Sequence, residues 1–167
     1  MTLGEAAAQA EELWASGKAQ EIAQLRAEWG DELESQARSQ DFRERAMAFR
    51  AIGMFRWRAK EELLRRGLDD TSPAARGSAL LSIELLSRDH PSSVNSVRPI
   101  LHKMLNDPDE NAAVRRLAVL ALKNGSPQRD TIVLLEGTAA DDDEGADLKR
   151  AAASVAQELK RKAIAKR

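Results

Sequence analysis

Cysteine and tyrosine are absent from this 167-residue chain, and aromatic residues make up only 4% of it. Without cysteine there can be no disulfide, no thiolate zinc ligand and no thiol nucleophile. With so few rings, small and aliphatic side chains must do most of the packing. Excess charge is lacking as well. The net charge is −1, so nothing draws the whole molecule to nucleic acid or to an anionic membrane, and such binding would need a local patch. No apolar run approaches the roughly 20 residues that cross a bilayer. The start, Met1-Thr2-Leu3-Gly4-Glu5, has no basic segment ahead of an apolar core, as a secretory signal would. A cytoplasmic protein with no membrane insertion is the expectation. Also missing are a Gly-rich phosphate loop, a Gly-x-Ser-x-Gly elbow and a His-Glu-x-x-His pair. His90 and His102 stand apart from each other and from any acid–nucleophile pattern. No enzymatic activity and no cofactor are expected.

What is present is helical patterning. The most informative stretch runs from Leu105 to Leu122. Asp107 precedes Pro108, a pairing that disfavours further helix. Asp109 and Glu110 then put negative charge where the next helix's dipole favours it. Val114, Leu117, Ala118, Ala121 and Leu122 follow on one face at helical spacing.

Elsewhere the same reading applies. Thr2 and Glu5 make a capping-box spacing for a helix from Leu3, with Leu3, Ala6, Ala7, Ala10, Leu13 and Trp14 as its buried stripe, stopped at Ser16-Gly17. A second helix starts near Lys18 and carries Ile22, Leu25 and Trp29; its path from Gly30 to Gln40 is open. Asp41 opens the next, with Gly53 as a stop or with Met54 and Phe55 extending it by a turn. A short basic helix from Arg56 to Gly67 is capped by Gly67. Ser72 and Pro73 start a helix to about Ser87. Another covers about Val94 to Leu105, kinked or shortened at Pro99. Ser126 and Pro127 start one more, and a last helix runs from about Ala146.

Four of these segments share a phase. Arg45, Arg76, Arg115 and Lys149 fall at intervals of 31, 39 and 34 residues. The residue three further on is Ala48, Ala79, Ala118 and Ala152. The residue seven further on is Ile52, Ile83, Leu122 and Ala156. A repeated two-helix unit in the thirties is the mark of an α-solenoid. The Leu…Asp-Pro-Asp…Val-Arg…Ala…Ala-Leu stretch at 105–122 resembles the HEAT repeat in its phycobilisome-lyase-like form, and residues of about 41–160 carry that pattern. Glu44 departs from it where the third copy has Val114. The resemblance implies an all-α fold: a short right-handed array of three to four helix pairs over residues 40–167, behind an N-terminal helical cap over residues 1–39.

The resemblance further implies a binding surface along the second helices. The candidates are residues off their core stripe: Met47 and Arg50, Ser78 and Leu81, Arg116 and Leu120, and Arg150 and Ser154. A protein or peptide partner is expected there, in the manner of an adaptor; the oligomeric state is left open. The alternative is nucleic-acid binding through the interleaved cluster Arg56, Trp57, Arg58, Lys60, Arg65 and Arg66 with the basic tail from Lys160, because rings stack bases and cations hold phosphates. The HEAT-like alkylpurine DNA glycosylases share the repeats, but no Asp framed by aromatic residues is present here. Asp141-Asp142-Asp143-Glu144 lacks the alternate spacing of a calcium loop and reads as a solvated turn. Turn acids and helix cations, such as Asp107 with Arg115, read as structural pairs rather than as acid–base catalysts.

Overall fold

The computed structural model describes residues 1–166. Among them are ten α-helices, one 3-10 turn and no strand. The chain divides into two compact units, residues 1–86 and residues 87–167.

In the first unit α1 (Leu3–Ala15), α2 (Ala19–Ala37) and α3 (Phe42–Met54) pack pairwise on one another. The capping box forms: the Thr2 hydroxyl accepts the Glu5 N–H at 3.2 Å, and the Glu5 carboxylate accepts the Thr2 N–H at 2.7 Å. Leu3, Ala6, Ala7 and Ala10 are buried as expected, but Trp14 is 44% exposed. The reason is local. Trp14 stands at the end of α1, and the Arg56 guanidinium lies 5.0 Å over its ring. Helix α1 closes with Gly17 at φ 71°, where the Lys18 N–H donates to the Leu13 carbonyl and the Gly17 N–H to the Trp14 carbonyl. Helix α2 runs straight through Gly30, whose missing side chain admits the Trp57 ring; a Cβ there would lie 3.1 Å from it.

Helix α3 ends in the same hydrogen-bonded turn, with Arg56 where a glycine is usual. Its φ is 51°, a conformation costing an L-residue about 1–2 kcal/mol. The Trp57 N–H donates to the Ile52 carbonyl, and the Arg56 N–H to the Gly53 carbonyl. Arg26 offsets the cost by donating to the carbonyls of Phe55 (2.8 Å) and Arg56 (2.7 Å). Because this turn takes up residues 55–57, the basic stretch does not start as a helix. It begins with the 3-10 turn Arg58–Lys60 and becomes α4 (Glu61–Gly67). Gly67 is the last helical residue rather than a left-handed cap. Its bare Cα lets α4 close on its neighbours: a Cβ would sit 2.9 Å from the Ala79 Cβ and 3.1 Å from the Phe49 ring. Helix α5 (Pro73–Ser87) starts at Ser72, and buries Ala75, Ala79, Leu80, Ile83 and Leu86. It meets α3 where the buried Ser82 hydroxyl donates to the Phe49 carbonyl at 2.5 Å and accepts the Gly53 N–H at 3.0 Å.

The second unit holds α6 (Ser92–Asn95), α7 (Arg98–Asn106), α8 (Ala112–Leu122), α9 (Arg129–Ala140) and α10 (Ala146–Ala165). The single helix expected over 94–105 is split into α6 and α7. Pro99 falls in the first turn of α7, where its missing N–H has no partner to lose. Helix α8 is capped by Asn111, whose side chain accepts the N–H groups of Ala113 (2.9 Å) and Val114 (3.2 Å). Ser126 does not cap α9, which starts later, at Arg129. Instead the Asn95 amide nitrogen donates to the Ser126 hydroxyl at 3.0 Å, and the Ser126 N–H donates to the Asn95 carbonyl oxygen at 2.9 Å. Helix α8 packs on α7 and α10, and α10 on α9. Leu148, Ala152, Val155, Ala156 and Leu159 are the buried face of α10.

The in-phase residues share their burial. Ala48, Ala79, Ala118 and Ala152 are each fully buried, and Ile52, Ile83, Leu122 and Ala156 are buried four residues on. Each segment is also preceded by an Asp whose carboxylate accepts the N–H two residues later at 2.9 Å: Asp41 from Arg43, Asp70 from Ser72, Asp107 from Asp109, and Asp141 from Asp143. Such Asx turns explain why acids gather between the helices.

Candidate functional site

The cations at the starts of α3 and α8 are structural, but Arg115 does not pair with Asp107, whose carboxylate accepts the Asp109 N–H instead. Arg45 grips Asp70 with two bonds, 2.8 and 2.9 Å, and also donates to the Ser39 and Gln40 carbonyls. These bonds hold the Asp70 carboxyl below its ordinary range. Arg115 grips Glu144 with two bonds of 2.7 Å and donates to the Leu105 carbonyl at 2.6 Å. In both cases one guanidinium ties the chain before its own helix to an acidic turn further on, Asp70 between α4 and α5 and Glu144 between α9 and α10. Lys149 stands 3.6 Å from Asp142.

The expected binding residues fall differently in the two units. In the first, Met47, Arg50 and Ser78 are half-buried. The Met47 thioether packs under α1, 3.2 Å from where a Cβ on Gly4 would lie. Leu81 is exposed. In the second unit all four candidates converge. Arg116 and Leu120 from α8, with Arg150 and Ser154 from α10, line one groove of about 520 Å³. Lys123 and Asp147 edge it, and Ala151 and Val155 add apolar wall. Arg150 is bonded to Asp147, one turn earlier on its own helix. Neither Arg116 nor the Lys123 ammonium makes an ion pair or side-chain hydrogen bond among the described residues. Lys123, Asp147 and Ala151 join the expected residues in this groove, and Val155, a core residue of α10, closes its base. Lys123 lies seven residues after Arg116, so the helical period already placed it on the same face.

The interleaved cluster of the first unit is mostly engaged within the fold. Arg56 pairs with Glu11 at 2.6 Å. Lys60 pairs with Glu34 at 2.7 Å and stands 5.0 Å over the Trp57 ring. Trp57 meets Phe55 edge to face at 6.2 Å. Arg58 lies 3.5 Å from Glu61, and Arg65 and Arg66 are exposed on α4. In the tail, Lys160 pairs with Glu136, and Arg161 with Glu158. Lys162 donates to the Lys123 carbonyl at 2.5 Å. Arg167 lies outside the described residues.

Two further grooves lie in the second unit. One, of about 450 Å³, lies beside the Arg115–Glu144 pair, with Pro108, Val133, Leu134 and Gly137 in its wall. The other, of about 340 Å³, lies along α9 and α10 over Ala139, Ala140 and Ala153. His102 is tied into the fold by a 2.9 Å contact between its Nε2 and the hydroxyl of buried Thr131. Burial lowers its pKa, nearby Asp130 opposes that, and Arg98 adds to it. The folded state therefore disfavours the charged ring. That contribution to stability is complete above the unfolded value of about 6.5 and is lost as pH falls from there through the lower folded value. Denaturation midpoints measured at about pH 7.5 and about pH 5 should fall more for the wild type than for His102→Gln. Equal falls would remove His102 from the acid response.

Compared with known proteins, the chain matches no family model, no curated protein and no solved structure at a significant level.

Proposed function

We propose that this chain is a non-enzymatic, cytoplasmic interaction module, a right-handed HEAT-like solenoid that holds a protein or peptide partner on the faces of its second helices. The observation that carries the reading is the convergence of Arg116, Leu120, Arg150 and Ser154 on one groove. All four lie off the core stripe of their helices. They come from different repeats, yet share a surface with unneutralised cations beside apolar wall. The repeated burial, Asx turns and guanidinium grips support the repeat reading. Among the described residues, no helix is long and apolar enough to cross a membrane.

Affinity capture from lysate tests the proposal, run with and without nuclease. A nuclease-resistant protein should be retained by the wild type. Its recovery should drop at least about tenfold with Leu120→Glu or Leu81→Glu, which place charge on an interface. Recovery unchanged in both variants, or recovery of nucleic acid alone, would overturn the reading.

A further inference from the structure

Several cations of this molecule are spent on acids: Arg45 on Asp70, Arg56 on Glu11, Lys60 on Glu34, Arg115 on Glu144 and Lys160 on Glu136. Others, such as Arg65 and Arg66 on α4, are exposed. The groove between α8 and α10 sets exposed cations beside apolar wall. Arg116 and Lys123 are both exposed, both on α8's side of the groove about two helical turns apart, and neither has a carboxylate partner there. The Lys162 ammonium lies near the Lys123 end, where it donates to the Lys123 carbonyl. Burial lowers its pKa, and the neighbouring Lys166 and Lys123 charges add to that against Glu158. A chain with a net charge of −1 thus concentrates like charge beside Leu120, Ala151 and Val155. Unpaired cations crowded next to partly covered apolar surface are relieved by an incoming carboxylate whose neighbour is apolar.

We infer that the α8–α10 groove is the receptor for an acidic peptide segment of the partner protein, with carboxylates meeting Arg116 and Lys123 and an adjacent apolar side chain meeting Leu120 and Ala151. This deepens the adaptor reading above and rests on it. A nucleic-acid strand fits the surface less well. No aromatic ring lines the groove to stack a base. Asp147 stands on its edge, and Lys160 and Arg161 of the adjoining tail are paired with acids, so the cations do not form a continuous track for a phosphate backbone. Arg150 keeps Asp147 as its own partner, which leaves α8's cations to set the preference for acid.

The test uses the full chain and a fluorescein-labelled peptide of about a dozen residues built from Glu and Leu, read by anisotropy at about 50 and about 300 mM salt. Comparison probes are the same peptide with Lys in place of Glu, one with Ser in place of Leu, and an oligothymidylate of similar length. The Glu/Leu peptide should bind, more weakly at high salt. The Lys/Leu peptide should not, and the Glu/Ser peptide should bind several-fold more weakly. Arg116→Glu with Lys123→Glu should lower affinity at least about tenfold, and the neutral pair Arg116→Gln with Lys123→Gln should lower it by less. Both pairs are exposed positions, and unchanged circular dichroism would establish that the fold is kept. No binding of the Glu/Leu peptide, binding indifferent to both pairs, or tighter binding of the oligonucleotide would overturn the inference. Should the peptide fail while Leu120→Glu still abolishes capture of a protein from lysate, the adaptor reading stands and the acidic specificity falls. If both fail, both fall.

Discussion

Replacing Gly53 by alanine should destabilise the first unit by about 2–4 kcal/mol, although alanine is the better helix former by about 1 kcal/mol. Gly53 lies inside α3, against α5. An added Cβ would meet the Ser82 hydroxyl at 2.6 Å and the Ser82 Cα at 2.8 Å. The second of these is backbone, so rotating a side chain gives no relief. Separating the helices would also break the bonds that Ser82 makes with Gly53 and Phe49. Trp14, Trp29 and Trp57, the chain's three tryptophans, all belong to the first unit. Their fluorescence in a urea titration therefore reads that unit directly. Gly137→Ala is the matching control. It is also helical, nothing stands within 4 Å of its added Cβ, and it should stabilise the second unit by about 0.5–1 kcal/mol. If Gly53→Ala proved neutral, the tight α3–α5 approach would be refuted.

Arg115→Ala should cost the second unit about 3 kcal/mol. The Arg115 side chain is 9% exposed and its Glu144 partner 17%. Truncation strands a carboxylate in a poorly solvated place and leaves the Leu105 carbonyl without its donor. The penalty comes from the groups left behind more than from the lost attraction. Arg115→Ala with Glu144→Ala should therefore cost less than the two single changes added together. Far-UV circular dichroism and amide exchange over α7 to α10 would report it, since this unit has no tryptophan. A loss below about 0.5 kcal/mol on Arg115→Ala would show the pair to be no better than a surface ion pair.

The burial of the in-phase residues is legible in the sequence because it depends on period alone. An alanine three residues after a cation, and an aliphatic residue four beyond it, end up buried wherever a helix of that phase is packed on one side. The N-terminal capping box was equally local. What escaped the sequence was whatever depends on a neighbour far along the chain. Gly67 looks like a helix stop, yet its role is set by Ala79 and Phe49. Ser126 before Pro127 has every feature of a cap, but Asn95 claims it. Trp14 follows the apolar period of α1, and only the left-handed turn at Arg56 explains why its ring faces a guanidinium instead of the core. The groove shows the same division. The helical period chose Arg116, Leu120, Arg150 and Ser154 from their own helices, but the apposition of α8 and α10 recruits Asp147 and Val155.

Each guanidinium grip spans more than one loop. Arg45 on α3 reaches back to the Ser39 and Gln40 carbonyls and forward to Asp70, between α4 and α5. Arg115 on α8 reaches back to the Leu105 carbonyl and forward to Glu144, between α9 and α10. A cut in the loop after α3 or after α8 therefore leaves the arginine on one side and its acid on the other. The segments that keep these contacts run over residues 39–70 and 105–144. In recombination, whether by evolution or by design, the piece that can be exchanged whole ends in an acidic turn rather than at the loop that follows the arginine's own helix.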